Sequence, residues 1–534
     1  MKKVTLIVSG LLSVMNIICI HAQTPVIQWA KTYGGSNADE CFAIHQIPGG
    51  AYISCGLTLS NDGDVHGLHS VDIGDAWILK TDQEGNVLFA KTYGGSNNDY
   101  ARSIQQTHDG GYIFAGATES NNGDVAGNHG GSDMWLVKLD SMGNIKWQKC
   151  YGGSGNEVAN AVQQTYDGGY IMAGQTSSAN GQVTGYHGGY DMWVVKTDDT
   201  GGLVWQKSLG GTRLENGLSA QQTYDSGYII AGVTSSTNGD VTGLHAFDDM
   251  WLVKLDKNGN ILWEKCYGGS GLDGAFCVRQ TIDSGYILAG NTSSGDGDVV
   301  GYHNTGAVGT FDYWILKLSK AGSIQWQKCL GGSDDDRGSA IEQVFQNGAD
   351  SGYIVLGYTL SSDGDLTGNK GNYDYWTVRI NNSGRIIWEK TLGGSADDIA
   401  VAVATTSDTA FVVAGYTLSF DYDVAGNHGS DDFWIVKLKD TTRHVNGINV
   451  LSVNDAIKVY PTVTKGLVHI KLPAGYEHAT MQLHDIAGKP MDYQAIYNGS
   501  EKVISIGNEV AGWYLLAIDN ANVTYTYKIY YQPY

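Results

Sequence analysis

Residues 191–209 read Asp-Met-Trp-Val-Val-Lys-Thr-Asp-Asp-Thr-Gly-Gly-Leu-Val-Trp-Gln-Lys-Ser-Leu. Two runs rich in apolar and aromatic residues flank a polar turn that contains Gly201 and Gly202. Runs of this kind, separated by glycine turns, are typical of antiparallel strands. The stretch therefore predicts a β-hairpin with one tryptophan on each strand, Trp193 and Trp205, which lie 12 residues apart.

The same hairpin pattern recurs along residues 24–440. The first tryptophan returns as Trp77, Trp135, Trp193, Trp251, Trp314, Trp376 and Trp434, and the second position holds Trp29, Phe89, Trp147, Trp205, Trp263, Trp326 and Trp388. The units are roughly sixty residues long and show no helical period. Such repeats indicate either a β-propeller or a solenoid.

The third unit shows four strand-like runs, at residues 159–165, 170–174, 192–197 and 203–209. Four strands joined by glycine-containing turns match one propeller blade. The first run carries the smallest side chains, as crowding near a central axis requires. We therefore expect it to be the innermost strand and the last, tryptophan-bearing run to be the outermost.

The two ends of the repeat region complement each other. The seventh unit stops after its third run, residues 433–438, and the region begins with a lone fourth run, residues 27–32. The N-terminal strand can then complete the last blade, which removes the exposed sheet edges of an open array. The sequence predicts an all-β fold, a seven-bladed β-propeller closed by its N-terminal strand.

Two motifs of the unit carry a family resemblance. Leu392-Gly-Gly-Ser-Ala-Asp-Asp398 and Gly169-Tyr-Ile-Met-Ala-Gly-Gln-Thr-Ser177 resemble the bacterial seven-bladed β-propeller repeat family, and all seven units carry versions of them. The resemblance implies a propeller on a secreted or surface protein. It implies no defined activity.

Residues 455–534 lack the repeat. Short segments in which apolar and polar residues alternate predict a small Ig-like β-sandwich there. The segments Ile457-Lys-Val-Tyr-Pro461, Leu483-His-Asp-Ile-Ala-Gly-Lys489 and Gly512-Trp-Tyr-Leu515 occur in order. They resemble the C-terminal sorting domain of the type IX secretion system of Gram-negative bacteria. The resemblance implies export across the outer membrane and an interaction with the secretion machinery. Residues 441–454 are the expected linker.

Residues 1–22 are predicted to be a secretory signal peptide. Lys2 and Lys3 precede an apolar run, and Ala22 is the expected last residue before cleavage. No other long apolar run occurs, so we expect no transmembrane segment in the mature chain. With the sorting domain, this predicts a secreted or cell-surface protein.

Charge and composition exclude several classes of function. The 534 residues include 33 basic and 55 acidic ones, a formal charge of −22, which argues against nucleic-acid binding. Apolar residues make up 42% of the chain and charged residues 16%, which excludes general disorder.

The loop between the second and third runs of each unit carries the candidate metal ligands. An Asn/Asp-Gly-Asp pattern offers hard oxygen ligands at short spacing, as calcium prefers. Its middle aspartate recurs as Asp64, Asp124, Asp240, Asp298, Asp365 and Asp423. The alternative, which we favour, is that these side chains bond to backbone N–H groups and hold turns. Calcium is thus a possible cofactor, and its presence is left open.

A histidine recurs in the same loops, for example as His187, and hydrogen bonding to a neighbouring loop is its expected role. Aromatic side chains of these loops are candidates for stacking on sugar rings: Tyr186, Tyr190, Tyr302 and Phe311.

No catalytic constellation can be separated from the repeat pattern. The favoured hypothesis is a non-enzymatic surface or secreted binding module for a glycan or a protein. One alternative is a polysaccharide-degrading hydrolase or lyase with the propeller as its catalytic domain, and another is a structural or adhesion component. A unique charged cluster in the central funnel would favour the enzyme, whereas a funnel lined by repeating residues would favour binding.

Overall fold

The computed structural model describes residues 24–303, 309–346 and 349–441, together with strands between residues 458 and 531. The predicted signal peptide, residues 1–22, lies outside the described residues, as does nearly all of the predicted linker, residues 441–454. The chain forms two compact units, which are described separately. No helix occurs among the described residues.

The larger unit consists of seven four-stranded antiparallel sheets, the blades of a propeller. Blades 1 to 4 contain β2 (Asp39–Gln46), β3 (Tyr52–Thr58), β4 (Asp75–Thr81) and β5 (Val87–Tyr93); β6 (Asp99–Gln106), β7 (Tyr112–Thr118), β8 (Asp133–Leu139) and β9 (Ile145–Tyr151); β10 (Glu157–Gln164), β11 (Tyr170–Thr176), β12 (Asp191–Thr197) and β13 (Leu203–Leu209); and β14 (Glu215–Gln222), β15 (Tyr228–Thr234), β16 (Asp249–Leu255) and β17 (Ile261–Tyr267). Blades 5 and 6 contain β18 (Asp273–Gln280), β19 (Tyr286–Thr292), β20 (Asp312–Leu318) and β21 (Ile324–Leu330); and β22 (Asp336–Gln346), β23 (Ala349–Thr359), β24 (Asp374–Ile380) and β25 (Ile386–Leu392).

Blade 7 closes the ring. It contains β26 (Asp398–Thr405), β27 (Ala410–Thr417) and β28 (Asp432–Lys439), and its fourth strand is β1 (Val26–Tyr33). β1 runs antiparallel to β28, with Tyr33 opposite Phe433 and Ile27 opposite Leu438. The predicted closure by the N-terminal strand is confirmed.

The two sets of tryptophans have different roles. Those on the third strands are fully buried in the blades: Trp77, Trp135, Trp193, Trp251, Trp314, Trp376 and Trp434. Those on the fourth strands reach the next blade. Trp29, for example, meets the ring of Tyr52 edge-on at 5.9 Å, and Trp205 meets Tyr228 in the same way at 5.7 Å. These contacts pack each blade against its neighbour.

A buried acid begins every inner strand and organises the connection between blades. We call these residues the strand-start carboxylates: Asp39, Asp99, Glu157, Glu215, Asp273, Asp336 and Asp398. Asp99 illustrates their contacts, because it accepts hydrogen bonds from the Gly95 N–H at 2.7 Å, from the Ser120 hydroxyl at 2.7 Å and from the Thr118 hydroxyl. Its own N–H donates to the carbonyl of Gly74 in the preceding blade. The repeat motifs Gly-Gly-Ser-x-x-Asp and Thr-x-Ser are thus the two halves of one hydrogen-bond network.

The smaller unit consists of two sheets. Their strands are β29 (Lys458–Tyr460), β31 (Leu467–Lys471), β35 (Glu501–Ser505) and β34 (Gln494–Asn498) in one, and β30 (Val463–Thr464), β37 (Val523–Tyr531), β36 (Gly512–Asn520), β32 (Thr480–Asp485) and β33 (Pro490–Met491) in the other. Side chains alternate along them, so that Val468, Ile470 and Ile504 are buried in the first sheet and Leu483 and Leu516 in the second. This agrees with the predicted small β-sandwich.

We expect Gly94→Ala to destabilise the propeller by about 2–3 kcal/mol, the range of overpacking in a filled site. A Cβ at Gly94 would lie 2.5 Å from Asp75 Oδ1 and 2.6 Å from Asp99 Oδ2. Thermal or denaturant unfolding measures the loss. Gly295→Ala is the matched control, because a Cβ there meets only the ring of Tyr302 at 3.9 Å. Equal stability of the two variants would contradict the expected role of Gly94.

Candidate functional site

The loops that carry the candidate calcium ligands lie beside the Gly-Gly turns, at one end of the blades. In every case the backbone N–H of the aspartate donates to the carbonyl of the first turn glycine: Asp64 to Gly34, Asp124 to Gly94, Asp240 to Gly210, Asp298 to Gly268, Asp365 to Gly331 and Asp423 to Gly393. The Asp240 carboxylate also accepts from the Gly210 N–H at 3.2 Å. These contacts are those of a turn-holding side chain.

The recurring histidines connect each loop to the start of a third strand. Nδ1 of His303 contacts the carboxylate of Asp312 at 2.6 Å, and Nε2 faces Asp365 of the next blade at 3.6 Å. In blade 6 the residue is Lys370, whose Nζ lies 2.7 Å from Asp423 of blade 7. The hydrogen bond of each histidine is to the aspartate that begins the third strand of its own blade, and not to a neighbouring loop as expected. Only His69, His245 and His303 also face an aspartate of the next blade, at 3.6 to 3.9 Å, and Lys370 reaches a partner of the same kind.

A metal centre would need several ligands at one point. Among the described residues, no three or more His, Cys, Asp or Glu side chains converge in a manner that could hold a metal ion. The candidate aspartates are separate from one another, one to a blade. Calcium binding at Asp64 and its equivalents therefore stays a prediction.

The four loop aromatics are not brought together. Tyr186 and Tyr190 belong to blade 3 and Tyr302 and Phe311 to blade 5. The Tyr186 hydroxyl donates to the carbonyl of Gly189, and the Tyr302 hydroxyl donates to that of Thr310. The Phe311 ring is covered by the guanidinium of Arg337 at 4.6 Å. Sugar stacking by these residues stays a prediction.

A cavity of about 250 Å³ lies on the propeller axis and is lined by the inner strands of all seven blades. The pairing of inner and second strands is interrupted by a β-bulge at the fourth residue of the inner strand. We call these the bulge residues: Phe42, Arg102, Asn160, Leu218, Phe276 and Val401. All six line the cavity. A bulge re-aims a side chain while the strand continues, and bulges are common beside binding sites.

The bulge residues are chemically diverse, although the scaffold around them repeats. The residue after each bulge is small, for example Ala43, Ser103 and Ala161, whereas the bulge itself holds an aromatic ring, a guanidinium, an amide or an aliphatic chain. The funnel is therefore not lined by one repeating residue. Sequence reasoning missed this position. The available signal was the divergence of the fourth residue among otherwise similar inner strands.

Arg102 is the distinctive charge of the cavity. Its guanidinium is exposed to the cavity and lies over the Phe42 ring at 4.1 Å and near the Tyr100 ring at 5.1 Å. None of the salt bridges among the described residues includes Arg102, although its charge acts on the nearby carboxyl of Glu40, against the burial that raises the pKa of Glu40. The other arginine of the lining, Arg279, donates through Nε to Glu342 at 2.7 Å.

Two further features set the polarity of the cavity. Burial and the nearby Arg279 lower the pKa of His45 to about 4, so His45 is neutral at pH 7. The amide oxygens of Gln163 and Gln221 accept backbone N–H groups of the next inner strand, at 2.5 and 2.6 Å. Their NH2 groups have no hydrogen-bond partner among the described residues. The lining is thus rich in hydrogen-bond donors, with Glu342 as its one carboxylate.

The comparisons with known proteins identify the C-terminal unit. Residues 458–532 match the secretion system C-terminal sorting domain. The class defined by fold and tail is a secreted or cell-surface propeller protein of Gram-negative bacteria, exported through the type IX secretion machinery. No helix in the described part of the chain is long and apolar enough to span a membrane.

The propeller is similar to several proteins at low sequence identity. Regulatory protein FlaEY of Caulobacter vibrioides is 24% identical over 439 residues, which are 73% of this chain and 44% of the relative. BamB of Moraxella catarrhalis is 12% identical with a TM-score of 0.37, over 78% of this chain and 100% of BamB. The Pan2 WD40 domain of Neurospora crassa is 10% identical with a TM-score of 0.41, over 77% and 90%. Likeness at this level does not bear on function.

Removal of residues 455–534 is expected to leave the propeller in the periplasm, because the sorting domain is the part read by the export machinery. Protease accessibility on intact cells, compared with cell fractionation, measures delivery. Fusing a sorting domain from another exported protein to the truncated chain should restore it. Normal surface delivery of the truncated chain would show that the export signal lies elsewhere.

We expect the propeller to be more stable at about pH 5 than at about pH 8. Burial raises the pKa of Asp374 to about 7 and that of Asp191 to about 6, from an ordinary value of 3.8. An acid with a raised native pKa stabilises the fold less as the pH rises through that value. His303, whose pKa is raised by the hydrogen bond to Asp312, acts in the same direction. His45, with its lowered pKa, opposes this trend below about pH 6.5.

Thermal unfolding across this pH range tests the expectation. Asp374→Asn should weaken the pH dependence near pH 7, since that variant has no carboxyl to ionise at this position. Asp199→Asn, at an exposed turn, serves as the control and should leave the dependence unchanged. A melting temperature that rises steadily from about pH 5 to about pH 8 would show that other groups dominate.

Proposed function

We propose that this protein is a non-enzymatic binding module displayed outside the cell, and that it holds a glycan or protein ligand at the axial cavity. The observation that carries the proposal is the set of bulge residues. A rigid scaffold that repeats seven times directs side chains of five kinds from the six described bulges into one cavity. A funnel lined by repeating residues is the expected sign of binding, and the described lining departs from that expectation. Varied groups that converge on a fixed frame nevertheless suit the selective binding of one ligand.

The titratable side chains of the cavity lining favour a binding function over glycoside hydrolysis. Glycoside hydrolysis uses two carboxyl groups, separated by about 5–10 Å, one of them available as an acid. The cavity lining contains one carboxylate, Glu342, and it is ion-paired with Arg279. His45 is neutral at pH 7 and half-buried.

A second candidate is a polysaccharide lyase. It is favoured by the unique cluster of His45, Arg279 and Glu342, which has no counterpart at the same positions of the other blades. A structural or adhesion role is a third possibility, and the surface location supports it equally.

The test is binding of the mature chain to a glycan array and to surface proteins. We expect Phe276→Ala to weaken binding at least tenfold, because the Phe276 ring is 41% exposed and lines the cavity. Phe247→Ala is the control, since Phe247 is an exposed loop residue outside the cavity lining. A repetition with calcium and with a chelator tests the calcium prediction.

The outcomes separate the candidates. Binding that is lost only in Phe276→Ala supports the proposal. Turnover of a polysaccharide by the purified chain would overturn it in favour of the enzyme. Binding unaffected by either substitution would place the ligand elsewhere on the propeller.

A further inference from the structure

We infer that the axial cavity recognises a sugar residue that carries a carboxylate, a uronic acid, with Arg102 as the carboxylate receptor. This inference rests on the proposed binding function and specifies its ligand. It follows from the charge, the hydrogen-bond donors and the apolar surfaces of the cavity lining.

The charge of the lining selects an anion. Arg279 and Glu342 neutralise each other at 2.7 Å, and His45 is uncharged at pH 7. Arg102 is left as the single net charge of the lining, in a chain whose formal charge is −22, and the carboxyl of Glu40, on which its charge acts, lies outside the lining. One exposed guanidinium, fixed over an aromatic ring, matches one carboxylate, because its planar N–H groups can bond both carboxylate oxygens.

The hydrogen-bonding groups of the lining select a ligand rich in acceptors. The NH2 groups of Gln163 and Gln221 face no partner among the described residues, and Gln105 lines the cavity beside them. The Asn160 NH2 group is engaged by Asn216 and Gly217, which leaves its carbonyl oxygen as an acceptor. Sugar hydroxyl and ring oxygens can use donors and acceptors of both kinds.

The apolar surfaces and the volume favour a single sugar ring. Phe42 and Phe276 supply aromatic surface, and Leu218 adds aliphatic surface on another blade. The cavity of about 250 Å³ is smaller than the roughly 300–1,000 Å³ of pockets for drug-sized ligands. It therefore suits one residue, such as the end of a chain. The acidic aspartates of the outer loops would disfavour a longer polyanion lying across that face.

The experiment compares sugars that differ in one group. Galacturonic and glucuronic acid are titrated into the mature full chain by calorimetry or ligand-observed NMR, beside galactose, glucose and acetate. We expect the uronic acids to bind at least tenfold more tightly than the neutral hexoses, and acetate to bind more weakly than either acid. Arg102→Gln should remove the preference for the acid while weak binding of the neutral sugar persists.

Arg102→Lys is the conservative variant and should retain part of the preference, because it keeps the charge and loses the planar donor array. Phe247→Ala is again the control outside the cavity. Arg102 is exposed, so unfolding curves of its variants should match that of the natural chain.

The two levels of the proposal fail in different ways. Equal affinity for acids and neutral sugars, or an acid preference unchanged in Arg102→Gln, overturns the uronic-acid inference and leaves the binding function standing. Absence of binding to every sugar and surface protein tested overturns both. Incubation with a 4-linked oligouronide tests for lyase action, because elimination removes the C5 proton and expels the 4-linked sugar. Appearance of an unsaturated uronate product there would retain the ligand class and overturn the non-enzymatic assignment.

Discussion

The propeller depends on a carboxylate buried at the start of each inner strand. Asp39 and its six equivalents are fully or almost fully buried. Each accepts a hydrogen bond from the second glycine N–H of the preceding turn and from hydroxyl groups at, or just after, the end of the second strand. Removing such an acceptor would leave several buried donors unsatisfied, each at a cost of about 1–3 kcal/mol. The first glycine of the preceding turn has no room for a side chain, because the strand-start carboxylate lies on one side of it and an acid of the neighbouring blade on the other. Each strand-start carboxylate thus holds the turn, the register of the strands and the connection between two blades.

Much of this scaffold could be predicted from the sequence, because a scaffold that repeats leaves a periodic signal. Tryptophan spacing gave the blade count, small residues marked the inner strand, and the complementary ends gave the closure by β1. The cavity could not be predicted in the same way. Arg102 and Phe276 depart from the repeat, and their direction depends on a bulge whose register is set by pairing with the second strand. Periodicity reports what the blades share, whereas the candidate site consists of what they do not share.

The sequence predicts that the loop histidines bond to a neighbouring loop, but it does not indicate which residue they meet. His69, His245 and His303 each face an aspartate of the next blade, roughly sixty residues further along the chain, so these contacts exist only when neighbouring blades are in place. Lys370 is informative here. It departs from the histidine pattern, yet its ammonium group lies 2.7 Å from Asp423, the equivalent of the aspartates that His69, His245 and His303 face at 3.6 to 3.9 Å. An exception to a motif can therefore preserve its physical role while changing its response to pH.

Closure by β1 also governs the order of folding. Val26 pairs with Lys439. The first strand of the propeller to be synthesised therefore cannot form its pairing until the last strand is present. Contacts between such distant parts of a chain form slowly, and unpaired strand edges are open to association in the meantime. The ring cannot be completed on a chain that has been only partly made or only partly delivered across the inner membrane. A protein built in this way needs its β1 and β28 edges protected until the whole repeat region has arrived.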